Sequence, residues 1–316
     1  MAQSGQSPEQ SPHVVELARL LAAVPHRPLF LAGTIVVLLS MTWWSLELAS
    51  LRFGFAWWPQ PTVSFTWGHA MLIQYGLFPL FMFGFLLTTF PRWLGRPSIP
   101  KTRYLPVAGG VFLGYVLSNV GLLGMPKLLA TGVVLMLGGY LVGIVTLAGV
   151  LKGAEDKLHH AKSCLTALSL GALGLGLFLV ELSGLPEAHG HGGECAWLAI
   201  RIGTFGLLLP IYFTVTHRML PFFTGNVAPG YVVIRPQWSL PVVWLLLLLH
   251  LVLEWRGVQG WLWLPDVPLA LVFAYHSLAW QPWKAMHPGL CAVLHIAFAW
   301  LPIAFILYSV QDLTYL

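Results

Sequence analysis

The amino-acid sequence predicts an all-α membrane protein, a polytopic bundle of about nine transmembrane helices, from two observations. Of its 316 residues, 57% are hydrophobic and only 9% are charged, whereas about a quarter of the residues of a soluble domain are charged. Apolar runs of about 20 residues, the length that crosses the hydrocarbon core, also recur along the chain. These runs fall near 28–51, 67–90, 104–124, 128–151, 163–184, 196–220, 238–255, 260–280 and 289–310.

The chain divides into a polar N-terminal segment, 1–25, and a transmembrane helical domain, 26–316. The polar segment lacks the basic start and apolar core of a signal peptide, so the first span is expected to act as its own insertion signal. Pro79 and Pro210 lie inside the second and sixth apolar runs. Because proline removes a helix hydrogen bond, both helices are predicted to be kinked there.

The distribution of basic residues predicts the orientation of the bundle. Of the 16 Lys and Arg residues, all but Arg52, Lys127, Arg201 and Arg256 fall on one side when alternate loops are assigned to alternate sides. Cytoplasmic loops carry the excess of Lys and Arg, so this side, with the N-terminus, is predicted to be cytoplasmic. The basic residues form no patch that would indicate a nucleic-acid partner. The predicted surroundings are a lipid bilayer.

Histidines within or beside the apolar runs are the principal candidates for a functional site, since an ionisable residue at membrane depth is costly. Near the outer face lie His69 and His250, and near the inner face lie His217, His276 and His295. His276 and His295 are at similar depth on consecutive antiparallel helices. Two such imidazoles can clamp a haem iron or help to hold copper. Alternatively, each hydrogen-bonds a neighbouring group and stabilises packing.

Two further groups of histidines lie in predicted loops. The outer loop 188–195 contains a set that can bind copper or zinc: His189, His191, Glu194 and Cys195. A flexible His- and Gly-rich loop also occurs without any metal. His159 and His160 lie in a charged inner loop and are expected to be solvated.

Four segments resemble the NnrS family of polytopic bacterial membrane proteins. They begin with PHRPLF at 25–30 and include HA at 69–70 with YG at 75–76 and GFLLTTFPRW at 84–93. They continue with RMLPFFTGN at 218–226 and LHIAFAWL at 294–301. The segments occur in the family's order and cover the whole chain. Met71 and Leu72 stand where the family pattern has His and Glu, and His217 stands where it has Gly.

The resemblance implies a multi-pass protein of the bacterial inner membrane that binds haem and copper and is linked to nitric oxide metabolism or nitrosative stress. By position it implies His26, His69 and His295 as ligands. Arg218 would then pair with a haem propionate, or else serve as a positive anchor at the inner surface.

The residues alone leave other functions open. No hydrolytic triad, P-loop or dinucleotide fingerprint occurs, so no reaction follows and whether the protein is an enzyme is undecided. The alternatives are a cofactor-free membrane transporter and a structural subunit of a larger membrane complex, with a membrane-protein partner.

Overall fold

The computed structural model describes residues 16, 19–55, 57–154, 158–287 and 289–314, so most of the polar segment 1–25 lies outside the described residues. These residues form nine long helices and no strand. We number the helices α1 His26–Phe53, α2 Phe65–Trp93, α3 Lys101–Gly121, α4 Pro126–Leu151, α5 Leu158–Leu182, α6 Glu194–Val227, α7 Ser239–Trp255, α8 Trp263–Ala279 and α9 Gly289–Leu313. Single-turn helices at Leu185–Ala188, Gln259–Trp261 and Pro282–Lys284 lie between them.

The lengths of these helices confirm the predicted all-α membrane fold. In the described parts of the chain, eight helices are long and apolar enough to cross a membrane. The remaining one, α7, has 17 residues, which is near the lower limit of about 17 for a span. Each helix overlaps one predicted apolar run. The largest differences are at the end of α6, which ends at Val227, seven positions after the predicted end of about 220, and at the start of α5, which begins at Leu158, five positions before the predicted start of about 163.

The helices that contain Pro79 and Pro210, where kinks are predicted, each have a π-helical segment just before that proline. Leu72–Leu77 precedes Pro79 in α2, and Ile202–Leu208 precedes Pro210 in α6. Proline has no N–H, so the carbonyl four residues earlier loses its helical partner. In α2 this carbonyl belongs to Tyr75, and the buried Tyr140 hydroxyl donates a hydrogen bond to it at 3.2 Å. A tertiary contact thus supplies a hydrogen bond to the carbonyl that proline deprives of its α-helical partner.

The chain forms two compact units, residues 1–156 and 157–316. In the first unit, α3 and α4 pack with their backbones in close contact through glycines. A Cβ added at Gly132 would lie 2.6 Å from the Gly114 carbonyl oxygen, and one at Gly110 would lie 2.9 Å from the Gly139 Cα atom. Small residues that let backbones approach are typical of helix pairs in membranes.

The second unit is built around aromatic side chains. Phe205, Phe213, Phe273, Trp280 and Phe298 are buried in one cluster contributed by α6, α8 and α9 and by the residue that follows α8. Helices α8 and α9 pack along each other, as expected for consecutive antiparallel helices. Polar side chains lie at both ends of this aromatic core, and these ends hold the candidate sites.

Candidate functional site

The inner histidine cluster consists of His160, His217 and His276, at the end of the second unit that is predicted to face the cytoplasm. His160 is in the first turn of α5, His217 is on α6 and His276 is near the end of α8. The His160 Nε2 and His217 Nδ1 atoms are 3.0 Å apart, and the ring centroids of His217 and His276 are 5.6 Å apart. His217 and His276 are buried. Three helices therefore bring three imidazoles together.

This arrangement corrects the sequence prediction for His160. The residue was expected to be solvated in a charged loop, but α5 begins earlier than predicted and turns this ring toward α6, where it is half-buried. The preceding His159 is exposed, as expected. The displaced helix start explains why the sequence did not assign His160 to the site.

The hydrogen bonds of His276 fix which of its nitrogens can act as a ligand. Its Nδ1 lies 2.8 Å from the Val272 carbonyl oxygen, which can only accept, so Nδ1 carries the hydrogen. Nε2 therefore holds the lone pair, and the Ser239 hydroxyl lies 2.9 Å from it. An N–H donated to a backbone carbonyl is the usual support of a metal-binding histidine. His276 thus has the tautomer that a metal ligand needs, but the Ser239 hydroxyl already donates a hydrogen bond to the lone pair of Nε2.

His217 offers a less satisfied ring. Its ring faces the Pro236 carbonyl, but the buried Nε2 atom makes no hydrogen bond of normal geometry. His160 Nε2 and His217 Nδ1 share a hydrogen bond at 3.0 Å. Metal–imidazole bonds of about 2.0 Å would place two nitrogens on one ion at a similar separation of about 3 Å, once the shared hydrogen is lost. Among the described residues, no three His, Cys, Asp or Glu side chains converge as a ready-formed metal site.

His295, the other member of the predicted clamp, lies on α9 and contacts α6 instead of His276. Its Nε2 is 2.9 Å from the Thr224 hydroxyl, which donates to the Leu220 carbonyl, so the imidazole donates in this pair. The observed contact of His295 is thus a hydrogen bond between two helices, which agrees with the alternative of a structural role. No ring contact between His276 and His295 occurs within the described part of the chain.

The opposite end of the second unit holds a set of charged groups that the sequence did not bring together. This outer acidic cluster consists of Arg201, His250, Glu254, Asp266 and Asp312, from α6, α7, α8 and α9. His250 Nδ1 lies 2.6 Å from Asp266 Oδ1, and Arg201 Nε lies 3.1 Å from Glu254 Oε1. Sequence position places these residues near the outer face, but their convergence depends on the packing of four helices.

The cavities of the protein test whether a haem fits. A cavity of about 470 Å³ is lined by Arg96, Arg103, Thr146 and Lys152, and one of about 410 Å³ by Trp43, Trp58 and Asn119. Neither is lined by a histidine. A smaller cavity of about 250 Å³ at the outer acidic cluster includes His250, whose two ring nitrogens face carboxylates. These three cavities therefore do not fit a histidine-ligated haem.

Comparison with known proteins identifies the family. The model of the NnrS protein family matches residues 20–316, nearly the whole chain. The chain belongs to the NnrS family. No curated protein and no solved structure matches it.

Three of the NnrS-like segments lie at the ends of helices and one lies within a helix. The 25–30 segment begins α1, the 84–93 segment ends α2, the 218–226 segment ends α6 and the 294–301 segment lies inside α9. Pro91 and Pro221, in the second and third of these segments, lie within their helices. Arg218 is half-buried in the inner part of α6, next to His217.

The two histidines of the NnrS-like segments in the first unit have different surroundings. The His69 ring stacks on Trp44 with centroids 3.8 Å apart, and its buried Nδ1 has no hydrogen-bond partner. His26 Nδ1 is 3.5 Å from the Thr88 hydroxyl, which donates to the Gly84 carbonyl. The structure brings neither ring to a second histidine in the described part of this unit.

The predicted loop site does not converge. His189 Nδ1 bonds the Leu185 carbonyl at 2.7 Å, and His191 Nδ1 lies 3.0 Å from Glu194 Oε1. His189, His191 and Glu194 are exposed, and Cys195 is a free, half-buried thiol. Each histidine is thus held locally, apart from the other.

Proposed function

We propose that this protein is an NnrS-type integral membrane metalloprotein of the bacterial inner membrane, which binds copper at the inner histidine cluster and serves in the response to nitric oxide. The observation that supports it is the 3.0 Å approach of His160 Nε2 to His217 Nδ1. The lone pair of His276 Nε2 in the same cluster adds a third nitrogen.

The chemistry of the cluster favours copper. Imidazole is a good ligand for copper, and the rings of Phe213, Trp238 and Trp280 surround the histidines. Such an apolar shell limits the access of water and influences the redox potential of a metal. Bound copper would supply one-electron chemistry or a binding position for a small gas molecule. His217 and His160 would hold the ion, and Ser239 would have to release His276 for a third bond.

Haem is a second candidate, which rests on the family resemblance and on the pair His276 and His295 predicted from the sequence. The first candidates for its ligands are His69, His276 and His295, followed by His26, His217 and His250, with Arg218 as the partner of a propionate. The three cavities described above do not fit a haem held by these ligands, so the chemistry proposed here does not include haem. A zinc or copper ion at His189, His191, Glu194 and Cys195 would require the loop to rearrange.

Metal content tests the proposal directly. The full-length protein, purified in detergent after expression with copper, should contain one copper per chain and show the electron paramagnetic resonance of Cu(II) bound by nitrogen. His160→Ala and His217→Ala should lower copper content at least tenfold. The adjacent His159→Ala is the matched control, because that side chain is exposed, and it should retain the metal.

The same preparation separates the alternatives. A Soret band that shifts on reduction and is lost in His295→Ala or His69→Ala would favour haem over copper. Protein that is folded, colourless and free of metal would contradict the proposal and favour a cofactor-free transporter or a subunit of a larger complex. Growth in the presence of a nitric oxide donor, restored to a deletion strain by the wild type but not by His217→Ala, would support the physiological part.

A further inference from the structure

The outer acidic cluster contains buried charged groups whose role does not depend on copper. It lies about 15 Å from the inner histidine cluster along α8, at about 1.5 Å per residue. Three of its members are buried, with Asp266 at 0%, Asp312 at 3% and His250 at 3% exposure, and the side chains of Glu254 and Arg201 are 12% and 36% exposed. Burying a charge in an apolar core is costly unless a group of opposite charge compensates it. Each charge of the cluster is therefore expected to face a group of opposite charge.

The surroundings of His250 favour its charged form. Nδ1 lies 2.6 Å from Asp266 Oδ1, and Nε2 lies 3.6 Å from Glu254 Oε2. An ionised carboxylate can only accept a hydrogen bond, so each ring nitrogen that faces one is best placed when it carries a hydrogen. With hydrogens on both nitrogens, His250 is an imidazolium. It compensates one of the two carboxylates.

Arg201 compensates the other carboxylate. Its Nε donates to Glu254 Oε1 at 3.1 Å, and its guanidinium also lies over the Trp197 ring, 5.5 Å from the centroid. Two cations, Arg201 and His250, thus face two carboxylates, Glu254 and Asp266. Asp312 is the third carboxyl group of the cluster, and no third cation is among the residues that line its cavity.

Asp312 meets another carboxyl group. Its side chain is within hydrogen-bonding reach of Asp266, and no donor of the described residues reaches the buried Oδ2 atom of either side chain. Two carboxylates in contact cannot both remain ionised in a site of low dielectric, because like charges repel strongly there. A cation has to lie between them.

We propose that Asp312 and Asp266 form a carboxyl–carboxylate pair that holds one exchangeable proton, taken up from the cavity that Asp312 lines. A hydronium ion in the cavity gives its proton to a carboxylate oxygen of Asp312, which forms an O–H bond and releases water. The new O–H donates a hydrogen bond to Asp266, and no electrons are transferred. The cluster then has no net charge.

The cavity suits a proton better than a metal ion. Its volume of about 250 Å³ has room for several waters, each of which occupies about 30 Å³ in the liquid. Tyr308, Gln259 and Gln311 line it with polar groups that can orient them. A hard metal cation takes six or more oxygen ligands, but Glu254 and Asp266 each already face a protein cation.

Infrared spectroscopy of the full-length protein tests the proposal. Difference spectra across a pH step should contain the C=O band of a carboxylic acid, shifted to lower frequency in D₂O. Asp312→Asn should remove the band, and Asp312→Glu should keep it at a changed frequency. Glu187→Gln, which alters an exposed carboxylate of the same face, should leave it unchanged. If Asp312→Asn does not fold, as judged by size-exclusion chromatography, the frequency shift of the band in Asp312→Glu decides the test.

Three results would overturn the proposal: no such band in the wild type, a band unmoved in Asp312→Glu, or a band that persists in folded Asp312→Asn. A band that disappears on addition of Na⁺, K⁺, Mg²⁺ or Ca²⁺ at constant pH would assign the site to that metal cation instead. None of these measurements depends on copper, so the proposal of a proton site can be overturned or supported independently of the proposal of a copper site.

Discussion

The two units of the protein share one plan and differ in what they bury. In each unit the first long helix has a histidine near its inner end and a glutamate near its outer end. The interval between His26 and Glu47 equals that between His160 and Glu181. The next long helix in each unit contains a π-helical segment just before a proline. The helical plan therefore does not determine the chemistry of a unit.

The difference lies in the buried polar side chains. Among the described residues, the first unit buries a single side chain that carries a charge or an imidazole, Glu47, and Trp58 donates to it at 2.6 Å. The second unit buries six: His217, His250, Asp266, His276, His295 and Asp312. Groups of this type are expensive in a membrane and are retained where they have a function. The second unit is thus the candidate for chemistry, and the first is stabilised by close packing.

Breaking the glycine contact of the first unit should have the largest effect. In Gly132→Val the added Cβ atom would lie only 2.6 Å from the Gly114 carbonyl oxygen. Overpacking of this kind typically costs about 1–3 kcal/mol, occasionally more. We expect the melting temperature in detergent to fall sharply. Gly138→Val is the control on the same helix, because nothing lies within 4 Å of its added carbon. Equal melting temperatures for the two variants would show that this contact does not stabilise the unit.

How far the sequence predicts the molecule differs between the helices and the sites. Length, hydropathy and proline position are local properties, so they located every long helix and marked the two prolines that follow π-helical segments. The outer acidic cluster combines Arg201, Glu254, Asp266 and Asp312 from four helices, and their proximity depends on packing that single-helix patterns do not contain. His160 was missed for a local reason, because the charged residues beside it suggested a loop where α5 has already begun.

A smaller effect is expected from the hydroxyl that satisfies the π-helical segment of the first unit. Tyr140→Phe removes the donor to the Tyr75 carbonyl and leaves that buried acceptor without it, at a cost of about 1–3 kcal/mol. The melting temperature should fall, by less than in Gly132→Val. Tyr275→Phe, at a side chain that is 44% exposed, should change it little. An unchanged melting temperature in Tyr140→Phe would mean that water or another donor replaces the hydroxyl.

The smallest effect should come from the glutamates that share a place in the plan of the two units. Glu181 accepts hydrogen bonds from the Gly193 N–H at 2.8 Å and the Ala196 N–H at 3.2 Å, at the start of α6. A carboxylate at a helix N-terminus stabilises it by about 0.3–1 kcal/mol. Glu181→Gln keeps an acceptor but loses the charge, so its melting temperature should be slightly lower than that of the wild type. Salt should reduce this difference, because it screens the charge in the wild type. Glu47 accepts from an indole instead of a helix terminus, so the drop in Glu47→Gln should not depend on salt. If both variants respond to salt alike, the two carboxylates have the same role and the units are more similar than their contacts indicate.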